Sequence, residues 1–242
     1  NCFMSKKKVC VIFPCYRVRS KIHNIYKKTI DKQIDCLIFV DDHCPEKSVN
    51  YLKSKIKKNK KIKFIYMKKN SGVGGATLAG FQLGKKMGYD VLIKFDADNQ
   101  HKVKDLVKLI NILKKKNVEF CKGYRDLTLK KSIKRNMPML RIFGANMLTY
   151  ISRFITKNYE LNDVTNGLFG MSSKILKKID LKKIKKNYFF EQDLIFYLSQ
   201  SRVKINQFNS EVIYEDENSS LNVLGSIIPF SFYHIQNFFK RW

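Results

Sequence analysis

The sequence predicts an α/β protein with a mostly parallel central sheet, and two features of its first half support this fold class. Short apolar runs alternate with amphipathic segments of helical spacing, as expected when each strand is followed by a helix that covers the sheet. Several runs are apolar throughout, which is typical of strands buried on both faces. The predicted strands are Val9–Phe13, Cys36–Val40, Lys63–Met67, Val91–Asp96 and Val118–Lys122.

The predicted helices follow from the spacing of apolar residues. Leu106, Ile110 and Leu113 recur at helical spacing with lysines on the opposite face, and Val49 and Leu52 show a weaker pattern of the same kind. The second half of the chain is less regular. It is predicted to contain helices over Arg141–Lys157 and Tyr188–Ser201, and strands over Val164–Ser172 and Lys204–Tyr214.

The composition describes a globular chain with a large excess of positive charge. Its 242 residues, 44% of them hydrophobic, are enough to bury the core of one domain. The net charge of +28 is compatible with a surface that binds nucleic acid or an anionic membrane. However, only eight of the 48 basic residues are arginine, and a lysine excess spread along the chain can equally reflect a biased genome composition.

Cysteine usage and hydropathy bear on the compartment of the protein. No two of the six cysteines form a CxxC pair, which favours reduced thiols in a cytosolic setting over a disulfide framework or a zinc site. The first residues lack the apolar core of a signal peptide, and no long apolar run predicts a membrane span. We expect residues 1-220 to form one domain and residues 221-242 to form an amphipathic helical segment at the C-terminus.

The strongest indication of function is the segment Phe95–His101, in which Asp96 and Asp98 follow a buried strand. Ligands of parallel sheets gather beyond the C-terminal ends of the strands, where both carboxylates can turn towards one cation. Mg²⁺ or Mn²⁺ takes oxygen ligands and typically binds one or two carboxylates plus substrate phosphates. A solvated acidic turn is the alternative, but the position directly after an apolar strand favours a metal that bridges a diphosphate.

Two further segments lie at predicted strand ends. Asp41 and Asp42 would accept hydrogen bonds from a nucleobase or ribose, or would serve only as charges at the start of the next helix. The glycine-rich segment Asn70–Ala76 leads into a helix whose backbone N–H groups would approach phosphates. It does not fit a dinucleotide-binding fingerprint, because Thr77 takes the place of the third glycine and the segment follows the third strand.

The second half of the chain holds candidate catalytic acids and candidate phosphate ligands. Asp163, Glu191 and Asp193 would act as a base or as orienting residues, although surface acids of a helix are an equal interpretation of the last two. Half of the eight arginines lie between residues 125 and 153. Because the guanidinium group matches phosphate geometry in a bidentate manner, a phosphate-bearing substrate is expected.

Together these segments resemble family 2 glycosyltransferases of the GT-A fold, nearest to the polyprenyl- and dolichyl-phosphate glycosyltransferases. The matching segments follow the family's order over almost the whole chain, which is more specific than any single motif. They are Val11–Tyr16, Val40–Asp42, Asn70 with Gly72 and Gly75, Asp96–His101, Gly123–Arg125, Asp163–Gly167, Glu191–Asp193, and Tyr214–Leu221 with the basic, aromatic segment that follows it.

The resemblance implies a GT-A (Rossmann-like) nucleotide-sugar-binding fold and a role for each matched segment. Arg125 and Arg141 would meet the acceptor phosphate, and Asp96 and Asp98 would hold the metal and the diphosphate. Asp163 would lie close to the transferred sugar. The residues expected to bind the donor nucleotide are Pro14, Tyr16, Asp41, Asp42, Asn70, Gly72, Gly75 and Asp96. The candidate catalytic residues are Gln100, Asp163, Glu191 and Asp193.

The sequence departs from the family's pattern at three of these places. His43 and Cys44 replace the usual Gly-Ser after the two acids, Asn99 stands where Gly or Leu is common, and Arg17 replaces the usual Asn.

The expected function is an inverting transfer of a sugar from a nucleotide-diphosphate donor to a polyprenyl-phosphate-type lipid acceptor, with Mg²⁺ or Mn²⁺ as cofactor. Transfer to a glycan hydroxyl, with Asp163, Glu191 or Asp193 as base, is the alternative. A nucleic-acid-binding protein would need exposed aromatics interleaved with lysines, whereas most Phe and Tyr residues here occupy core-like positions, so no nucleic-acid partner is expected.

The expected location is the cytoplasmic face of a membrane, and an oligomer is compatible with the sequence. From Leu224 to Trp242 the chain is rich in aromatic and basic residues, which favours contact with an anionic membrane surface. Because Pro229 interrupts the pattern, an ordinary helix that packs on the catalytic domain is an equal interpretation.

Overall fold

The structure, a computed structural model, describes residues 7–30, 32–128, 132, 137–187 and 189–212, together with the single positions 236 and 239. The predicted C-terminal segment, residues 221-242, lies outside the described residues apart from those two positions. Neither the predicted division into residues 1-220 and 221-242 nor the predicted helix of this segment is therefore tested.

Seven strands form one sheet in the order β3-β2-β1-β4-β6-β5-β7. Strand β6 is antiparallel to its neighbours β4 and β5, while all other neighbouring strands pair in parallel. The predicted mostly parallel sheet is thus confirmed. The strands are β1 (Val9–Cys15), β2 (Cys36–Asp41), β3 (Ile62–Tyr66), β4 (Val91–Lys94), β5 (Phe120–Tyr124), β6 (Phe169–Ser172) and β7 (Ile205–Asn209).

Helices cover both faces of this sheet. Among the described residues they are α1 (Ile22–Thr29), α2 (Ser48–Lys55), α3 (Gly72–Lys86), α4 (Val103–Lys114), α5 (Met139–Thr156) and α6 (Phe190–Gln200), with a 3-10 helix over Ser173–Lys177. None of these helices has the combination of length and apolar character needed to cross a bilayer.

The side-chain alternation of β1 divides the core into two layers. Val11 and Phe13 face the layer that contains α1, α2 and α4, while Cys10 and Ile12 face the layer that contains α3 and α6. Helix α5 packs on α6 through a smaller cluster that includes Leu148. Each fully buried apolar side chain contributes about 1.5–3 kcal/mol to the free energy of unfolding. Packing in these two layers therefore holds the strand ends in fixed positions.

Two sequence-based assignments of secondary structure need correction. The predicted strand Val164–Ser172 is a strand only over Phe169–Ser172, because side chains before it bond to nearby backbone. Asp163 Oδ1 accepts the Thr165 N–H at 3.0 Å, and Asn166 Oδ1 accepts the Leu168 N–H at 2.9 Å. Such local bonds replace the ladder of a sheet. Helix α1, in turn, was not predicted.

Candidate active site

The predicted functional segments meet at the edge of the sheet where the parallel strands end. Cys15 at the end of β1 pairs with Asp41 at the end of β2, and Lys94 at the end of β4 pairs with Phe169 of β6. Phe169 pairs in turn with Lys122 of β5. The edge therefore carries charged residues on three strands, Asp41 on β2, Lys94 on β4 and Lys122 on β5, as well as on the loops that follow them.

Three residues with a left-handed backbone lie in the loops at this edge. Arg17, His43 and Asn99 follow β1, β2 and β4, and their φ angles are 55°, 55° and 66°. Residues with a side chain enter this left-handed region at a cost of about 1–3 kcal/mol, and Gly or Asn enters it most easily. Each of the three places that depart from the family's pattern thus includes one residue with a left-handed backbone.

Asp41 and Asp42 connect the loops that follow the strands. Asp41 Oδ1 accepts the N–H of Cys44 at 2.7 Å, and Asp42 Oδ1 accepts the N–H of Ser71 at 2.7 Å. Burial raises the pKa of Asp42, although backbone N–H donors from Ser71 and Gly72 oppose that shift. Both carboxylates therefore hold the loops at the predicted nucleoside-binding end of the sheet.

The glycine-rich segment bonds to the protein itself. The N–H groups of Gly74 and Gly75 both donate to the carbonyl oxygen of Lys186, at 2.9 and 3.3 Å. A side chain at Gly72, where φ is +75°, would meet the same oxygen at 2.5 Å. The expectation that these N–H groups of α3 approach phosphates needs correction for Gly74 and Gly75, because they fix the segment before α6. Asn70 supports the turn by accepting the Gly72 N–H at 3.1 Å.

Asp96 is paired with a buried lysine that was not among the predicted site residues. Lys94 Nζ lies 2.7 and 2.9 Å from the two oxygens of Asp96, and His101 Nε2 lies 3.7 Å from Oδ2. Burial alone would raise the pKa of Asp96, but the neighbouring Lys94 and His101 hold this pKa well below its usual range. Asp96 is therefore fully ionised at neutral pH.

Asp98 has a different environment. Its Oδ1 accepts the Gln100 N–H at 3.0 Å, and it has no ion-pair partner among the described residues. Burial, followed by the charge of Asp96, raises the pKa of Asp98. The charged form of the Asp98 carboxylate is thus destabilised, and a nearby cation would stabilise it. The Asp96–Asp98 pair therefore fits a divalent metal.

The described residues supply only part of a ligand set for such a metal. Among the residues that the structure describes, no three His, Cys, Asp or Glu side chains converge on one point. This arrangement is typical of Mg²⁺ and Mn²⁺ sites that use one or two carboxylates and take their other ligands from substrate phosphates and water.

Arg125 and Asp163 form a buried ion pair at the end of β5. Arg125 Nε and Nη2 donate to Oδ2 and Oδ1 of Asp163 at 2.6 and 3.0 Å, and Nη2 also bonds to Thr165. Burial alone would raise the pKa of Asp163, but Arg125 keeps this pKa well below its usual range. Direct proton abstraction by Asp163 is not supported by this geometry.

The two acids at the start of α6 are also engaged. Glu191 Oε1 lies 3.3 Å from Lys94 Nζ, so one ammonium contacts both Glu191 and Asp96. Asp193 is buried and its Oδ2 accepts the Lys185 N–H at 2.7 Å. Glu191 thus joins the charged cluster at the strand ends, whereas Asp193 stabilises the segment before α6.

The remaining predicted residues lie nearer the surface. Tyr16 is 43% exposed and has the guanidinium of Arg17 5.4 Å from its ring centroid. Pro14 is half-buried within β1, beside Val40 of β2. Arg141 is half-buried in the first turn of α5. The donor-side and acceptor-side roles of these residues stay predictions.

Two buried lysines near these acids, Lys94 and Lys122, were not among the predicted site residues. Lys94 and Lys122 are each 1% exposed, and burial lowers the pKa of Lys122 to about 8. Lys122 Nζ donates to the backbone oxygen of Asp163. The available signal was a lysine inside an otherwise apolar strand, since charged side chains are almost never fully buried unless they are paired.

A family profile identifies the chain. The family described as Glycosyl transferase family 2 matches residues 10–180, which include β1 to β6 and the acidic pair. The chain belongs to glycosyl transferase family 2. It is therefore a glycosyltransferase, as its sequence motifs predicted.

Two relatives of this protein are themselves named as glycosyltransferases. It is 26% identical over 225 residues to the UDP-N-acetylglucosamine–dolichyl-phosphate N-acetylglucosaminyltransferase of Methanococcus voltae, covering 88% of each chain. It is 27% identical over 164 residues to the undecaprenyl-phosphate mannosyltransferase of Micrococcus luteus, covering 66% of this chain and 64% of the relative.

Solved structures share the fold. Glucosyl-3-phosphoglycerate synthase from Mycobacterium tuberculosis, in complex with phosphoglyceric acid, superposes with a TM-score of 0.69 at 15% identity, over 97% of this chain and 80% of that one. The same enzyme with Mn²⁺, uridine diphosphate and glucosyl-3-phosphoglycerate gives a TM-score of 0.66 at 14% identity, with the same coverage. The predicted GT-A fold is thus confirmed.

Proposed function

We propose that this glycosyltransferase transfers a sugar, with inversion at the anomeric carbon, from a nucleotide-diphosphate donor to a polyprenyl-phosphate-type lipid. The observation that carries the proposal is the acidic pair Asp96 and Asp98 at the end of β4, beside a buried cluster of charged residues. The names of the relatives from Methanococcus voltae and Micrococcus luteus, which refer to dolichyl and undecaprenyl phosphate, support the choice of acceptor.

Asp98, together with Asp96, would hold Mg²⁺ or Mn²⁺ against the donor diphosphate. When bound, such a metal neutralises the charge that develops on the departing nucleoside diphosphate. The structural relative that was solved with Mn²⁺ and uridine diphosphate supports the choice of a divalent cation as cofactor. Gln100, which follows the pair and donates its N–H to Asp98, keeps the Asp98 carboxylate oriented.

The donor nucleoside would lie at the ends of β1 and β2. Asp41 and Asp42 are buried acceptors there, and Tyr16 offers an exposed ring. Asn70, Gly72 and Gly75 would contribute by shaping the adjoining loop. Gly75 is suited to this role because a side chain there would meet the side chain of Ser71 at 2.6 Å.

The state of the candidate bases favours a phosphate acceptor over a glycan hydroxyl. Asp163 is paired with Arg125, Glu191 with Lys94, and Asp193 accepts a backbone N–H. A hydroxyl acceptor needs a base to take its proton, whereas a phosphate oxygen is already anionic and needs only to be positioned. In the proposed step this oxygen bonds to the anomeric carbon as the bond from that carbon to the diphosphate breaks.

Arg141 would bind the acceptor phosphate from the start of α5. Arg125 is 5% exposed and ion-paired with Asp163. Its guanidinium group would therefore contact a phosphate while it stays bonded to Asp163. Arg141 is half-buried in the first turn of α5. We assign acceptor binding to Arg141 together with the Arg125–Asp163 pair.

The exposed face of α5 would bring the enzyme to the membrane that holds the lipid. Met139, Phe143, Tyr150 and Phe154 recur on one face of this helix and are between 58% and 74% exposed. Apolar and aromatic residues next to basic ones suit the headgroup region of an anionic bilayer. This location is peripheral to the membrane, and the segment of residues 221-242 would add to the contact.

A donor and acceptor screen tests the function. Thermal melting with UDP-, GDP- and dTDP-sugars in the presence of Mn²⁺ should identify one donor, since a ligand at 100 times its Kd stabilises by about 2.7 kcal/mol. That donor should then be consumed in the presence of a polyprenyl phosphate, with formation of a lipid-linked sugar. Transfer to a glycan hydroxyl but not to lipid phosphate would overturn the proposed acceptor.

A further inference from the structure

Lys94 is a buried ammonium group at the end of an apolar strand. It is 1% exposed, and its neighbours along the same face of the sheet are the fully buried Leu92 and Phe169. A charged group in such surroundings is strongly destabilising unless paired and hydrogen-bonded. Its position therefore depends on the groups that contact its nitrogen.

Three segments of the chain supply those contacts. Lys94 Nζ lies 2.7 Å from Asp96, 3.3 Å from Glu191 and 3.2 Å from the carbonyl oxygen of Gly167. These partners belong to the loop after β4, the start of α6 and the loop before β6. An ammonium group has three N–H donors, so its hydrogen-bonding capacity is matched by these three partners.

The fit around this nitrogen is close. A side chain at Gly167 would lie 2.7 Å from Lys94 Nζ and 2.6 Å from Asp96 Oδ2, so the loop leaves no room for a methyl group. The loop thus confines the ammonium group and Asp96 to a small space.

The charge of Lys94 acts on the same carboxylate as the metal. Asp96 would be shared between Lys94 and a divalent cation, while Asp98 has no ion-pair partner among the described residues. Two cations on one carboxylate repel each other, and the burial of Lys94 strengthens this repulsion because it limits screening by water.

We propose that Lys94 is a positioning residue that holds Asp96 and Glu191 on one ammonium group and lowers the affinity of the free enzyme for its divalent metal. The inference rests on the metal site of the proposed function. Weak binding of free metal would make retention of the metal depend on the negative charge that the donor diphosphate brings.

Titration of Mn²⁺ alone, followed by electron paramagnetic resonance, tests this role without any turnover. Lys94→Met removes the charge and keeps an apolar chain of similar length. It should bind Mn²⁺ roughly tenfold more tightly than the native enzyme, because the competing cation is gone. A residue that only supports the fold would give weaker binding, never tighter binding.

A matched control separates this local effect from a change in net charge. Lys178→Met removes one positive charge from an exposed pair with Glu119, which lies just before β5 at the opposite end of that strand. This variant should bind Mn²⁺ as the native enzyme does. Equal tightening in both variants would overturn the local role of Lys94.

A second pair of variants covers the case in which Lys94→Met fails to fold. Glu191→Gln removes one of the two carboxylates on the ammonium and should weaken Mn²⁺ binding. Lys94→Met in the Glu191→Gln background removes a buried charge together with one of its partners. It should again bind Mn²⁺ roughly tenfold more tightly than Glu191→Gln alone.

The outcomes distinguish this inference from the metal site itself. Mn²⁺ binding that is lost in Asp98→Asn but unchanged in both Lys94 variants would refute the role of Lys94 and keep the site. Absence of Mn²⁺ binding in the native enzyme and in both Lys94 variants would refute the site and the inference together.

Discussion

Arg125 and Asp163 form a two-point ion pair in the interior, with Nε 2.6 Å from Oδ2 and Nη2 3.0 Å from Oδ1. The pair joins the segment after β5 to the loop before β6, and Asp163 has no exposed surface. The family resemblance assigned Arg125 to acceptor binding and Asp163 to a place close to the transferred sugar. These two residues are ion-paired with each other.

The Arg125–Asp163 pair predicts a specific dependence of stability on pH. The pKa of Asp163 is lower in the folded than in the unfolded protein, so its stabilisation is fully present above about pH 4 and is lost as the pH falls further. Asp163→Asn should lower the free energy of unfolding by about 3 kcal/mol at pH 7, and the difference from the native protein should shrink below pH 4.

Denaturant unfolding of both proteins from pH 7 down to pH 3 measures this difference. Glu119→Gln is the control, because Glu119 pairs with Lys178 at the surface and such pairs contribute at most about 1 kcal/mol. A difference that stays constant across the pH range would contradict the assignment of Asp163 as the ionised partner.

Asp98→Asn should abolish metal-dependent turnover and leave the fold largely intact. The substitution removes a ligand charge from a carboxylate that has no ion-pair partner among the described residues, so little stability depends on it. Turnover against Mn²⁺ concentration and a thermal melt measure the two effects. Asp180→Asn, at an exposed position after the 3-10 helix, is the matched control. Normal turnover in Asp98→Asn, or indifference of the native enzyme to a chelator, would contradict the metal site.

Arg141→Ala should weaken use of a lipid-phosphate acceptor about ten- to a hundredfold in kcat/KM, since a charge-assisted hydrogen bond contributes about 1.5–3 kcal/mol. Donor affinity should change little. Steady-state kinetics with the acceptor varied, and a donor titration, measure both quantities. Arg202→Ala, at an exposed position after α6, should behave as the native enzyme. An equal loss of donor affinity in Arg141→Ala would place Arg141 on the nucleotide side.

Replacement of Phe143 and Tyr150 by Ser should reduce flotation of the protein with anionic vesicles. Both side chains are exposed on α5, and the change removes apolar area that would enter the headgroup region. Met87→Ser, at the exposed end of α3, is the control and should float as the native protein does. Unchanged flotation of the α5 variant would assign the membrane contact to another surface, such as residues 221-242.

The fold could be predicted from the sequence because it depends on patterns of neighbouring residues. Continuous apolar runs such as Cys36–Val40 and the helical spacing of Leu106, Ile110 and Leu113 report burial directly. The antiparallel β6 was not predicted as such, because strand direction depends on where the chain returns to the sheet. Helix α1 was not predicted, although Ile22 and Ile25 give it a buried face.

The sequence by itself determined the fold class, the family and the place of the acidic pair Asp96–Asp98, since strand ends and short motifs are encoded by neighbouring residues. Only the tertiary structure decided the partners of the charged groups. Lys94 meets Glu191 across 97 positions of the chain, and Arg125 meets Asp163 across 38. Pairing of buried charges is a property of three-dimensional proximity in a medium of low polarity, so no local pattern of residues specifies it.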